Sequence, residues 1–179
     1  MTTFELQPTL TGELIELRPL RLDDFEELYR AASDPLIWEQ HPEPMRHTRE
    51  VFQRYLDTAI ESGGAFAVID RSTGRIIGST RYWNLTGDEV EIGWTFLQRA
   101  YWGGEYNGEM KRLLLDHAFR FVERVVFVIG EENLRSQKAV EKIGATFLRR
   151  ADRTAPDGTI RKNVVYAITR QGVSAQVSS

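Results

Sequence analysis

The stretch Trp94-Thr95-Phe96-Leu97-Gln98-Arg99-Ala100-Tyr101-Trp102-Gly103-Gly104-Glu105-Tyr106-Asn107-Gly108-Glu109 joins a strand to a helix through a glycine-bearing loop. Backbone N–H groups at a helix start lack intrahelical acceptors and carry partial positive charge. Glycines beside them let a ligand approach the main chain closely, so the arrangement can cradle a phosphate. The Gly-Lys-Ser/Thr ending of a P-loop is absent, and the glycine spacing is not that of a dinucleotide fingerprint. The same residues also suit a turn that serves only the chain path. In a second segment, Gly130 to Ala145, Asn133 can cap a short helix through Ile143, with Ser136 in its first turn. Taken alone, that segment is a capped amphipathic helix.

The surrounding elements follow from periodicity and punctuation. Residues 13–18 alternate as a strand that Pro19 ends. A helix opens at Leu22, with Asp23 as its cap, and stops at Asp34-Pro35. The loop from His41 to His47 holds Pro42 and Pro44, and Thr48 caps a helix that Gly63-Gly64 closes. Strands follow at 65–69 and 76–83. Glu89 to Leu97 alternates, with Val90, Ile92, Trp94 and Phe96 on one face and Glu91, Gly93, Thr95 and Leu97 on the other. Glu109 to Val122 has helical spacing. Val125 to Ile129 is a continuous apolar run, the mark of a strand covered on both faces. Phe147 begins a strand, Pro156-Asp157-Gly158 turns it, and Asn163 to Ile168 returns. The order implies an α/β (α+β) fold with a mostly antiparallel sheet. It is expected as one domain over 1–179, with a frayed tail at Ser174–Ser179.

Composition narrows the functions. Among 179 residues, 23 are Lys or Arg and 26 are Asp or Glu, a formal charge of −3 that gives no general attraction to nucleic acid or acidic membranes. No cysteine is present, which excludes disulfides, thiol catalysis and thiolate metal sites. His41, His47 and His117 include no pair at metal-ligand spacing, so no metal is expected. The first residues do not read as a signal peptide and no run is long enough for a membrane span, so a cytoplasmic protein is expected.

Taken together and in order, these segments resemble the GCN5-related N-acetyltransferase (GNAT) superfamily. Within it they are most similar to the RimJ/RimL-like branch, which acetylates protein N-termini and, in many relatives, small amines. The resemblance runs over nearly the whole chain. It is carried by Leu10-Thr11-Gly12-Glu13-Leu14-Ile15-Glu16-Leu17-Arg18-Pro19-Leu20 with Asp23-Asp24-Phe25, by Glu91-Ile92-Gly93-Trp94, by Tyr101-Trp102-Gly103-Gly104, and by Asn133-Leu134-Arg135-Ser136 with Glu141-Lys142-Ile143-Gly144. It implies the acyl-CoA N-acyltransferase fold, with central strands that splay apart, and acetyl-CoA as cosubstrate. The backbone of Phe96 and Leu97 would pair with the pantetheine. The loop Trp102, Gly103, Gly104, Glu105, Tyr106 and Asn107 would hold the pyrophosphate, and Asn133 and Ser136 would face the thioester end. Two positions depart from the family's loop, Glu105 and Asn107 standing where glycines are usual. Val140 stands where many relatives carry a tyrosine acid.

The implied reaction is direct attack by a primary amine in a ternary complex, since no cysteine can carry the acetyl group. The acceptor would be a protein N-terminus or a small-molecule amine, and the enzyme a monomer or homodimer. An amine attacks only when neutral, so a base is needed. Glu91 is the candidate, directly or through a water. Its other role would be as a buried partner for an arginine such as Arg81, and neither Glu89 nor Asp88 is excluded. Ser136 can protonate the leaving thiolate, and an N–H near Leu97 can hold the developing oxyanion. Lys111, Arg112, Arg135 and Lys138 can meet the ribose 3′-phosphate. His117, on an apolar helical face, reads as a satisfied core histidine. Trp38, Tyr82, Trp83 and Trp94 can line an acceptor pocket or the core. Asp34, Glu39 and Glu43, near the expected acceptor entrance, can attract a cationic amine. The alternative of another class is a CoA-binding or interaction module with lost or weak catalysis.

Overall fold

The computed structural model describes residues 3–155 and 157–172; Pro156 and the tail from Ser174 lie outside the described residues. Eight strands form one sheet: β1 (Leu10–Thr11), β2 (Ile15–Pro19), β3 (Ala65–Asp70), β4 (Ile76–Thr86), β5 (Glu89–Leu97), β6 (Arg124–Gly130), β7 (Thr146–Thr154) and β8 (Ile160–Thr169). Their spatial order is β1-β2-β3-β4-β5-β6-β8-β7, and only β5 and β6 run parallel. Helices α1 (Phe25–Ala32) and α2 (Arg49–Ser62) cover one face, and α3 (Tyr106–Ala118) and α4 (Leu134–Lys142) the other. Each helix pair has its own core. Phe52, Leu56 and Leu28 lie under α1 and α2, and Met110, Leu114 and Val140 under α3 and α4.

Local chemistry moves three expected features. Asp24, not Asp23, anchors the first helical turn: it is buried, accepts from Arg21 N–H at 2.8 Å and pairs with Arg18 at 2.8 Å. Helix α3 starts at Tyr106 rather than Glu109. The Glu109 carboxylate accepts main-chain N–H groups of Glu13, Leu14 and Ile15 at 2.8, 2.9 and 2.8 Å, which ties the head of α3 to β2. The alternation of β5 breaks at Trp94, whose φ of +50° makes a bulge with a register shift against β4. Val90, Ile92 and Leu97 therefore pack on the α3 side, while Trp94 and Phe96 turn to α1 and α2. A period of two assumes unbroken extended backbone, and one left-handed residue reverses it.

The β5–β6 ladder is short. It pairs Glu89 with Arg124, Val90 with Val125 and Glu91 with Val126, then stops. Beyond that point β5 stays with β4 as far as Leu97, and β6 stays with β8 as far as Gly130. The two strands part into a V.

Candidate active site

A cleft of about 1380 Å³ opens in the V and runs from the head of α3 to the loop before α2. Gln98 N–H donates to Ile77 of β4 at 2.8 Å, so alternation turns the main-chain groups of Leu97 toward the gap and those of Phe96 toward β4. The Leu97 carbonyl is taken by the Trp102 indole N–H at 2.8 Å, which folds the loop back on the strand end.

The loop holds its amides free. Gly103 has a φ of +75°, open to glycine without strain, and a β-carbon there or at Gly108 would meet nothing within 4 Å. Main-chain N–H groups from Gly103 through Gly108 have no acceptor among the described residues, whereas that of Glu109 closes the first helical turn on Glu105 at 2.9 Å. No side chain caps α3. Unpaired N–H groups at a helix head form an anion site. Glu105 is exposed and Asn107 lines the cleft. Tyr106 turns its ring edge-on to Tyr101 at 4.9 Å, and Tyr101 in turn bonds Asp70 at 2.7 Å. Across the gap Asn133 accepts from Ser136 N–H at 3.3 Å as the cap of α4, and both line the cleft.

Glu91 lies where the strands part. It is 3% exposed and accepts from Arg153 at 2.8 Å. Burial pushes its carboxyl above the ordinary value, against the pull of Arg153 and, more distantly, Arg81. Arg81 is not its hydrogen-bonded partner; it stacks on Trp94 at 4.5 Å.

Other expected contacts separate. Lys111 is buried inside the V, its Nζ 3.1 Å from Thr95 Oγ1 and 5.3 Å from the Phe127 ring centre, and burial lowers its pKa to about 7. A side chain so placed faces the gap rather than a solvent-exposed ribose phosphate. Arg135 covers Trp102 at 4.2 Å, Arg112 lines the cleft and Lys138 is exposed. His117 is buried against Phe4 and Phe121 and bonds the Glu5 carbonyl at 2.7 Å. Tyr82 is in the core, Trp83 is exposed, and Trp38 and Trp94 line the cleft. Asp34, Glu39 and Glu43 are each matched by an arginine, Arg99, Arg135 and Arg161 respectively, so none stands free for a cationic amine.

Sequence reasoning missed His41, Arg46 and Arg153, all of which line the cleft. Arg153 carried a readable signal: it sits directly opposite Arg161 in the β7–β8 register, and facing like charges need counterions. Those counterions are Glu91 and Glu43.

The acetyltransferase (GNAT) domain family model matches residues 15–146. The chain belongs to this family. No curated protein matches it. Among solved structures it is similar to a GCN5-related N-acetyltransferase from Brucella melitensis, at 22% identity and TM-score 0.80 over 94% of this chain and 81% of that one. It is also similar to Mycobacterium smegmatis RimJ in complex with CoA-disulfide, at 20% identity and TM-score 0.71 over 96% and 94%. A third is the ribosomal-protein-S5-alanine acetyltransferase of Vibrio fischeri, at 17% identity and TM-score 0.67 over 91% and 97%. At these identities the likeness speaks to fold. The GNAT acetyltransferase fold, with its mostly antiparallel sheet flanked by helices, is what the strand order shows. Among the described residues no helix is long and apolar enough to cross a membrane.

Proposed function

We propose that this protein transfers the acetyl group of acetyl-CoA to a primary amine by direct attack in a ternary complex. One observation carries the reading: the parting of β5 from β6 beyond Glu91 and Val126 leads straight to a helix head with unpaired amides. An extended pantetheine arm suits an open strand edge, and a diphosphate suits Gly103 through Gly108. Asn107 tolerates the loop geometry, and the exposed Glu105 carboxylate is free to turn to solvent.

In this reading Leu97 N–H binds the arm, and Asn133 and Ser136 line its thioester end. Glu91 takes the proton of the attacking amine directly or through one water; burial raises its pKa and makes it a stronger base than a free carboxylate. An N–H near Leu97 would hold the charge that develops on the carbonyl oxygen. Ser136 can return a proton to the leaving sulfur, a small contribution because a thiolate leaves readily.

Thiol release from acetyl-CoA across a panel of amines tests the proposal. Turnover that requires an amine supports it. CoA binding without turnover on any amine supports a binding module instead, and no binding rejects both.

A further inference from the structure

Charge does not balance at the end of the cleft beside α2. Arg153 and Arg161 are matched by Glu91 and Glu43, at 2.8 and 3.1 Å. Arg46 and Arg81 have no carboxylate partner among the described residues. Arg46 lines the cleft and stacks on Trp38 and Tyr55, its guanidinium carbon 5.2 and 5.0 Å from their ring centres. Stacking uses the faces of a guanidinium, while its N–H donors lie in the plane and still need acceptors. The Nε of Arg46, and Nε and Nη2 of Arg81, are buried without a hydrogen-bond partner. Arg81 is 3% exposed.

His41 sharpens the deficit. Its Nδ1 accepts the Glu43 main-chain N–H at 2.9 Å. Burial and the nearby charges of Arg46 and Arg161 keep the ring neutral, so its single proton sits on Nε2. That atom faces Arg46 Nη1 at 3.2 Å. Two donors confront each other, and an anion oxygen bridging them from the cleft side would satisfy both.

We propose that this corner binds an anionic group, a carboxylate or a phosphate, carried by the same small molecule as the acceptor amine. Arg46 is its direct ligand and Arg81 adds positive field from against Trp94. The inference rests on the acetyl-transfer reading and narrows its acceptor to an amine with an attached anion. A continuous path joins the subsite to Glu91. Tyr55, stacked on Arg46, donates to the Trp94 carbonyl of β5 at 2.6 Å, and Arg153, the partner of Glu91, lies 5.8 Å from the Trp94 ring centre. We assign the anion to the acceptor and not to CoA, because Arg46 stacks on Trp38 and Tyr55 of the α1–α2 core, at the opposite end of the cleft from the loop amides that head α3.

The test measures acetyl-CoA-dependent thiol release with matched pairs. These are amino acids against their amides, ω-amino acids of increasing length against theirs, phosphoethanolamine against ethanolamine, and a peptide amide whose only charge is its N-terminal amine. The expected kcat/KM favours the anionic member about 10–100-fold, and the pair that shows it identifies carboxylate or phosphate. Arg46→Gln brings the ratio toward one, and Arg46→Lys restores part of it. Equal rates within every pair, preference for the peptide amide, or an Arg46→Gln variant that loses CoA affinity in place of acceptor selectivity overturns the proposal. If no amine turns over while CoA binds, the acetyl-transfer reading fails on its own. The subsite is then read by tryptophan fluorescence of the CoA-loaded protein titrated with N-acetyl amino acids and phosphoethanolamine, each against its uncharged counterpart. Anion binding about 10-fold tighter and dependent on Arg46 supports the subsite, and equal or absent binding overturns it.

Discussion

Arg153 Nη2 donates to Glu91 Oε1 at 2.8 Å, so the last residue of the β5–β6 ladder is held by a strand from the far side of the sheet. The pair places a buried carboxylate at the apex of the V and sets its basicity from two opposing sides. Burial raises the pKa and the guanidinium lowers it. Removing the guanidinium therefore leaves burial opposed only by the more distant Arg81.

If Glu91 is the base, Glu91→Gln lowers kcat by about 10²–10⁴ and leaves CoA affinity intact. Arg153→Met moves the acidic limb of the kcat/KM profile to higher pH, because the unpaired carboxylate holds its proton longer. Both are read from pH–rate profiles with a fixed amine. A limb that stays in place in Arg153→Met removes Glu91 from the proton transfer.

Lys111 makes stability depend on pH. Burial lowers its folded-state pKa from the ordinary lysine value of 10.5 to about 7. Between those values the unfolded chain binds the extra proton, so stability climbs as pH rises from 7 toward 10.5, and the penalty is fully present below 7. Lys111→Met removes the buried charge. It should stabilise the protein at neutral pH by about 1–3 kcal/mol and flatten that climb in urea melts taken at several pH values. A variant with the same slope as the parent would place the charge elsewhere.

Glu109 and Gly12 form one joint. A β-carbon at position 12 would lie 2.6 Å from the Glu109 carboxyl carbon. Gly12→Ala displaces that carboxylate, and Glu109→Ala leaves the amides of Glu13, Leu14 and Ile15 without it. Each should cost about 2–4 kcal/mol in a denaturant melt. A loss below about 0.5 kcal/mol for Glu109→Ala would show that water replaces the carboxylate.

Gly103→Ala strains the loop through φ alone, since its β-carbon meets nothing. A left-handed alanine costs about 1–2 kcal/mol. CoA affinity should fall about 5–30-fold in calorimetric titration, with a small change in Tm. Unchanged affinity would show that the loop adapts without that conformation.

Much of the fold is legible in the residues because its signals are local. Asn133 caps α4 through its side chain, Gly63 ends α2 in the left-handed region, and the apolar run within β6 is buried between layers. The glycine-rich segment likewise ends at a helix head. What escaped depends on contacts distant in sequence. Trp94 breaks the alternation of β5 only because β4 and β5 shift register there, and no residue type announces it. Arg46 is a charged residue in a proline-bearing loop until Tyr55 of α2 and Trp38 of the segment between α1 and α2 come against it. The carboxylates at 34, 39 and 43 suggest a cation site by composition, yet their arginine partners come from β8, α4 and the loop after β5. Pairing across the sheet turns an acidic stretch into an entrance whose unmatched charges are positive.

The central claim is that the amides at the head of α3 and the open edge of β5 hold the diphosphate and pantetheine of CoA. Amide chemical shifts recorded during titration with CoA read those groups one by one. Saturable shifts concentrated at Gly103 through Gly108 and at Leu97 are the expected result. Shifts confined to other parts of the chain, or none at saturating CoA, would contradict it.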